Sequence, residues 1–505
     1  MKKTLALLLA LLTVGASFAA CGGKTPDVTT TGTETTTASA APVVTEETPD
    51  LPDPASVNIA GEFNILVSGN YARNDFASDS MDGTAVEQAI YRRNQVMKET
   101  WGVDVKNEDI TRFGSAGGTG DGYMKIYTDY MAGDQVYDAA MIGTYDVATL
   151  AYSGYIHDLC DIPHIDLTKS WWDQKANKDL SIRGRMFYTT GDISVVDNMV
   201  THALLFNKDM VKSYGLDNPY DLVADDNWNL ETFGALVKQV GQDLDNNGVY
   251  DENDLYGLLT WNDPMTAILA AAGEKIASIN DRGELTLTLY NERVINLYDT
   301  FEGIVFDQAH AFNYQFDNTT GKGSPSKVWN TNRDTIFNTN RALFYLNTVA
   351  TAERHRDSEL DFGILPYPKL NAGQQDYYTT VAPYNSQFIC VPLIQKDIER
   401  TGIVTEALAY YGKQIVTPAY YDVNLVGQST RDEESADMLE IIFDNLVFDI
   451  GYYYQVGPYN KQLIRMVQAR DTNFTSMYDS YKTSAERLLT VINTYYAKAV
   501  SGWEK

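Results

Sequence analysis

Apolar residues recur along this chain with different periods, and each period predicts a different element. Positions 5–14 are apolar but for Thr13, a run too short and too early to span a membrane. Positions 22–56 are dominated by Thr, with Ala, Pro, Glu and Asp and no aromatic residue. Such a stretch cannot bury enough apolar area to offset chain entropy, so it predicts a disordered stalk. Order is expected from Val57 onward. Phe63-Asn64-Ile65-Leu66-Val67 predicts a buried strand. Across 84–100, Val86, Ala89, Ile90 and Met97 gather on one side of a predicted helix, and 103–110 predicts a second strand. Tyr123, Ile126, Tyr127 and Tyr130 stand at i, i+3, i+4 and i+7, the inner stripe of another helix, and 137–142 predicts a third strand. The alternation β-α-β-α-β implies a parallel sheet with helices on its faces. Ligands bind such sheets just past the strand C-termini, here the loop Gly143-Thr144-Tyr145-Asp146 ahead of a helix expected from about Val147. The glycine-rich stretch 114–122 has neither P-loop nor dinucleotide spacing and reads as a connection.

The first residues add an address. Lys2 and Lys3, the apolar run and the small pair Ala19-Ala20 have the order of a secretory signal peptide over 1–20. Phe18-Ala19-Ala20-Cys21 resembles a bacterial lipobox, with Phe18 where leucine is usual. That resemblance implies a lipidated Cys21 and a protein held by its acyl chains at the outer face of the cytoplasmic membrane.

Composition narrows the partners. The 505 residues carry 39 basic and 68 acidic side chains, a net charge of −29. An excess of that size argues against nucleic acid and against adhesion to anionic lipid, both of which need a basic face. Beyond Cys21 only Cys160 and Cys390 remain, and a fold of this size needs no disulfide, so two buried free thiols are expected ahead of a pair. The five histidines form no His-x-x-x-His, and no Gly-x-Ser-x-Gly occurs, so zinc-hydrolase and serine-hydrolase signatures are absent. No enzymatic activity is expected. A glycosidase would need only two carboxylates, which 68 acidic residues make easy to propose and nothing supports.

One local motif points to a metal. Asp243, Asp245 and Asn247 occupy positions 1, 3 and 5 of a calcium-loop pattern, with Gly248 at the sharp turn. Val249 offers its carbonyl, Asp251 stands at position 9, and Asp254 closes the loop where an EF-hand has Glu. The following Leu255-Tyr256-Gly257-Leu258 reads as a strand, so a structural Ca²⁺ or a metal-free acidic turn would each brace the loop. Upstream, Asn229 can cap a helix that carries Glu231 in its first turn.

The lipobox, the Thr-rich stalk, the βαβ opening and Leu204-Leu205-Phe206-Asn207-Lys208-Asp209 together resemble an extracellular solute-binding lipoprotein of an ABC importer. The stretches 361–369, 388–392, 406–410 and 431–435 resemble the larger sugar-binding proteins of this family. The resemblance implies an α/β, two-lobed, type II periplasmic-binding-protein fold with a hinge. The first lobe would hold 57–199 and 377–415, and the second 200–376 and the C-terminal helices of 416–505. It implies a small-molecule ligand, expected to be an oligosaccharide, permease subunits as partners and a monomeric receptor. By the same resemblance the cleft would draw on Thr144, Tyr145, Asp146, Asp197, Asn198, His202, Trp261, Asn262, Tyr384, Asn385 and Gln387. Sugars need aromatic faces and amide or carboxyl groups, and the 34 tyrosines and 7 tryptophans supply the first. Trp171 and Trp172 read instead as a surface-loop pair packed on their own lobe. A peptide or another polar solute is the alternative ligand, and a secreted glycan hydrolase or adhesin the alternative class.

Overall fold

The computed structural model describes residues 47–69, 75–78, 80–111, 118–315 and 333–501. The signal segment, Cys21, most of the Thr-rich stretch and part of the glycine-rich connection lie outside the described residues. Its strands are Gly61–Gly69 (β1), Val103–Thr111 (β2), Ala139–Gly143 (β3), His202–Asn207 (β4), Gly241–Gln242 (β5), Leu255–Thr260 (β6), Ala277–Ile279 (β7), Leu285–Leu287 (β8), Ala311–Asn313 (β9), Ala342–Thr348 (β10), Phe362–Leu365 (β11) and Gln387–Cys390 (β12).

The first sheet has the order β12-β3-β1-β2. β1 runs parallel to both neighbours, with Phe63 opposite Val105 and Ile65 opposite Ala139, and β12 returns antiparallel to β3. Alternation along β1 sends Phe63, Ile65 and Val67 into one apolar layer with Met97, Trp171 and Leu408, and Leu66 into the other with Ile126 and Phe388. Ala85–Trp101 (α1) opens on a capping box between Thr84 and Glu87 and closes on Gly102 at φ 68°, a left-handed position suited to glycine. In Asp121–Ala132 (α2) only Ile126 of the predicted stripe is buried. Tyr123, Tyr127 and Tyr130 are half-buried and meet the edge of Tyr155, Tyr130 at 5.2 Å between ring centres. Thr144–Ser153 (α3) follows β3 without a loop, so Thr144, Tyr145 and Asp146 form its first turn and not a preceding loop.

In the second sheet β4 lies antiparallel between β10 and β11, β10 runs parallel to β6, and β5 and β9 share the outer edge of β6. All six β4 residues are buried, as expected of a strand covered on both faces. Asn229 caps the helix Leu230–Val237 as predicted, accepting the Glu231 and Thr232 N–H groups at 3.0 and 3.2 Å. The helices that matter below are Pro264–Ala271 (α4), Ile398–Tyr411 (α5), Glu433–Asp444 (α6), Ile450–Tyr453 (α7) and Phe474–Ser501 (α8).

Three segments cross side by side between the sheets. His202 donates its N–H to the Thr380 carbonyl (2.9 Å), Ala382 donates to Val200 (2.8 Å), and Thr379 exchanges bonds with Asn445 (3.1 Å) and Val447 (2.8 Å). The C-terminal part differs from expectation. Residues 412–426 continue α5 in wide π-geometry and pack on α1 of the first lobe, α6 packs on β11 of the second, and α8 touches both β8 and α3. On α8, Asn493 brackets the Leu285 backbone with two 2.9 Å bonds, while one turn on Tyr496 meets Phe187 edge-on at 5.2 Å.

Three further expectations are corrected. Residues 47–56 lie on the first lobe: the Ser170 N–H donates to Glu47 (3.1 Å), and Leu51 packs on its core. Trp171 and Trp172 pack on their own lobe as expected but are fully buried and not on a surface loop, and both indole N–H groups donate to Glu406, at 3.0 and 2.9 Å. Cys160 and Cys390 are unpaired, but only Cys390 is buried. Among the described residues no helix is long and apolar enough to cross a membrane.

Candidate ligand cleft

The facing edges of the two lobes meet where α3, α4, α7 and the crossing segments converge. Tyr145, in the first turn of α3, stacks on Tyr452 of α7 at 6.0 Å and 18°. Trp261 follows β6 directly and tilts over His202 at 6.2 Å. His202 also meets Tyr367 edge-on at 5.9 Å, with its Nδ1 3.5 Å from the phenol oxygen. Burial pushes the His202 imidazole down to about 4, so it is neutral at physiological pH. Asp263 stands between Asn262 and Pro264 at the head of α4. Its carboxyl makes no cap bond, and burial pushes it up to about 7. Its charge acts on the phenols of Tyr145, Tyr367, Tyr384 and Tyr452, four groups from separate parts of the chain. Of the expected residues, Tyr145 is thus set against Tyr452, and His202 against Trp261 and Tyr367, with Tyr384 within electrostatic reach of Asp263.

The other expected residues have structural partners or peripheral places. The Thr144 hydroxyl donates to the Pro383 carbonyl, tying α3 to the returning segment. Asp146 turns away from the cleft, accepting the Gly120 N–H at 2.8 Å and the Tyr123 N–H at 3.3 Å, and so fixes the start of α2. Asp197 accepts from the Thr190 hydroxyl (2.7 Å) and the Asn198 N–H (2.8 Å) inside the first lobe, where burial pushes it up to about 7. Asn198 is half-buried, its carbonyl accepting the Thr201 N–H at 3.3 Å. Asn262 donates its N–H to Gln315 and accepts from Asn313, both at 3.1 Å. Asn385 turns on the Ala382 carbonyl (3.0 Å). Gln387 pairs with Gly143 in β12, and its amide lies where a side chain at Gly69 would have to go.

Solved structures match this architecture across most of the chain. An ABC substrate-binding protein from Listeria monocytogenes in complex with cycloalternan is 13% identical, covering 85% of this chain and 98% of its own, with a TM-score of 0.53. The cyclic alpha-maltosyl-1,6-maltose binding protein from Arthrobacter globiformis is 12% identical over 85% and 99%, with a TM-score of 0.57. The galacto-N-biose-/lacto-N-biose I-binding protein of the ABC transporter from Bifidobacterium longum, in complex with lacto-N-biose, is 11% identical over 86% and 98%, with a TM-score of 0.53. The fold is the one these three proteins share. It is the two-lobed α/β architecture expected from the sequence. No family model and no curated protein matches the chain.

The acidic loop is separate from the cleft residues. One oxygen each of Asp243, Asp245 and Asp254 lie within 4.8 Å of one another. Gly248, at φ 79°, donates its N–H to Asp243 at 2.7 Å, and this bond first among several holds the Asp243 carboxyl below its ordinary value. Asp254 is buried and accepts the Leu244 and Asp251 N–H groups at 2.8 and 2.9 Å. Asn247 and Asp251 also accept from the backbone, from Val249 at 2.6 Å and Asn253 at 2.8 Å, and lie outside the converging set. Three carboxylates converge, not the full set of six donors. The strand read from Leu255 onward is β6.

Three cleft residues were not legible as such. Asp263 reads as an ordinary helix cap ahead of Pro264; the signal was its place directly after Trp261-Asn262. Tyr367 lies in the Leu365-Pro366-Tyr367-Pro368 stretch, and Tyr452 opens a triplet of tyrosines that has no period.

Proposed function

We propose that this chain is an extracellular solute-binding protein, anchored through Cys21, that captures a neutral oligosaccharide and delivers it to an ABC permease. The observation that carries the reading is the convergence of Tyr145, Tyr384, Tyr452, Trp261, His202 and Asp263 from both lobes at one place. Aromatic rings cover the C–H faces of a sugar, and the carboxyl, imidazole and phenol groups serve its hydroxyls. The three crossing segments are the natural hinge, and a ligand that touches both lobes only when they are closed would shift that equilibrium. The bound sugars named for the matched proteins belong to the same chemical class. A protein of this kind releases its ligand unchanged.

A thermal-shift panel of mono- and oligosaccharides, short peptides and amino acids tests it. A ligand that binds only the folded state raises Tm by mass action. A rise with one oligosaccharide class and no product by chromatography is expected. A rise with peptides alone, or turnover of the sugar, would overturn the reading. We also propose that Asp243, Asp245 and Asp254 hold a structural Ca²⁺ at weak affinity, since three carboxylates converge where the pattern calls for six donors. Calorimetric titration with Ca²⁺ should show one site, lost in Asp245→Asn. Membrane-fraction labelling with a palmitate analogue, abolished by Cys21→Ala, tests the anchor.

A further inference from the structure

Asp263 combines three features that no structural role in the fold requires. It is only 7% exposed, yet its carboxyl has no hydrogen-bond or ion-pair partner among the described residues. Pro264 occupies the first helical position and brings no N–H to cap, while the Asp263 main-chain carbonyl alone accepts Thr266, from its N–H at 2.8 Å and its hydroxyl at 2.7 Å. The groups its charge reaches are the phenols of Tyr145 in the first lobe, Tyr384 on the returning segment, Tyr367 after β11 and Tyr452 on α7. No lysine, arginine or histidine offsets it. The imidazole nearest this wall, His202, is held neutral.

We propose that the Asp263 carboxylate is the anchoring group of the cleft, accepting hydrogen bonds from hydroxyls of a neutral saccharide and excluding acidic ones. The inference rests on the sugar-receptor reading above and adds the charge class of the ligand. A carboxylate is an acceptor only, whereas phenols donate and accept. Together they match hydroxyl groups, which also do both. A uronate or sugar phosphate would place a second negative charge in the same low-dielectric space with no cation to offset either. The carboxyl oxygens keep some exposure and have no protein donor among the described residues, so a ligand hydroxyl replaces water here and need not displace a bond already made within the protein.

Capture is then linked to a proton. With Asp263 pushed up to about 7, a sizeable fraction of unliganded molecules carry that proton at neutral pH. Hydroxyl donors favour the charged form, so binding expels the proton to solvent and affinity rises as pH climbs through 7. His202, pushed down to about 4, does not titrate in that window.

The test is calorimetry on the full chain at pH 7 in two buffers of different ionisation enthalpy. The probes are cycloalternan, cyclic α-maltosyl-1,6-maltose and lacto-N-biose as neutral sugars, and galacturonate oligomers as acidic ones. One neutral sugar is expected to bind with buffer-dependent heat, and galacturonates to fail. Asp263→Asn should weaken binding by roughly tenfold or more and abolish the buffer dependence. Buffer-independent heat for the unaltered protein overturns the proton linkage without recourse to the variant. Neutral sugar bound equally by Asp263→Asn, or galacturonate bound as tightly, overturns the role of Asp263 alone. Silence of every sugar overturns the receptor reading and this proposal with it.

Discussion

Single acidic side chains in this protein are sorted by what reaches them. Asp146 and Asp197 were candidates for ligand contact, but backbone N–H groups and hydroxyls satisfy them inside the first lobe. Glu406 is the clearest structural case. Both its oxygens are taken by indole donors, and the Asp166 N–H adds a longer bond at 3.4 Å. Burial pushes it up to about 7. In Glu406→Gln the amide nitrogen must face one of the two tryptophans, leaving a buried donor unpaired. An unsatisfied buried group costs about 1–3 kcal/mol, so the unfolding free energy should fall by that much, read as a lower urea midpoint at unchanged m-value. An unaltered midpoint would mean the pair relaxes to another acceptor.

At the scale of elements, period was informative and partnership was not. The strands β1, β2 and β3 and the helix α1 were visible because a buried strand or a capped amphipathic helix writes its burial into its own residues. The three tyrosines of α2 kept the helical period yet lie half-buried, since period fixes a face and says nothing of what covers it. Likewise the allocation of 412–426 and α8 depends on which lobe offers a groove, a property of distant residues. The cleft was half legible: Trp261 and Tyr145 follow strands β6 and β3, where ligands gather, whereas Tyr452 arrives from a helix more than 300 residues after Tyr145 in sequence. Backbone approach is similarly silent. A Cβ on Gly257, in the middle of β6, would overlap the Val237 carbonyl at the end of the helix Leu230–Val237. Gly257→Ala should therefore cost about 1–3 kcal/mol by overpacking, despite the ordinary preference of strands for any residue over glycine. A stability equal to or above the parent would show that the helix shifts freely.

For the whole molecule, the acidic balance and the buried carboxyls predict an unusual response to pH. Burial pushes Asp192 and Asp449 up to about 6, and Asp197, Asp263, Glu302 and Glu406 up to about 7. In the unfolded chain such groups titrate near 4, so between about pH 4 and 7 the folded protein binds protons that the unfolded one has released. Folding stability then falls as pH rises through that window and increases on acidification from pH 8 toward 5. His202 opposes the trend. Its imidazole, pushed down to about 4, stays neutral while the unfolded histidine charges below about 6.5, so this one group loses stability as pH falls. Six carboxyls outweigh it, and relief of self-repulsion from a net charge of −29 acts in the same direction. Near pH 4 the gain stops, because the unfolded carboxyls take up protons too. Below it, Asp334, kept low against its own burial by His355, Arg354 and Arg333, surrenders its stabilisation. The Tm of the ligand-free protein should accordingly be higher at pH 5.5 than at pH 8 and decline again below pH 4. A Tm that drops steadily from pH 8 to 5.5 would mean that the buried carboxyls are ionised in the fold. The proton expelled from Asp263 on capture would then have no source.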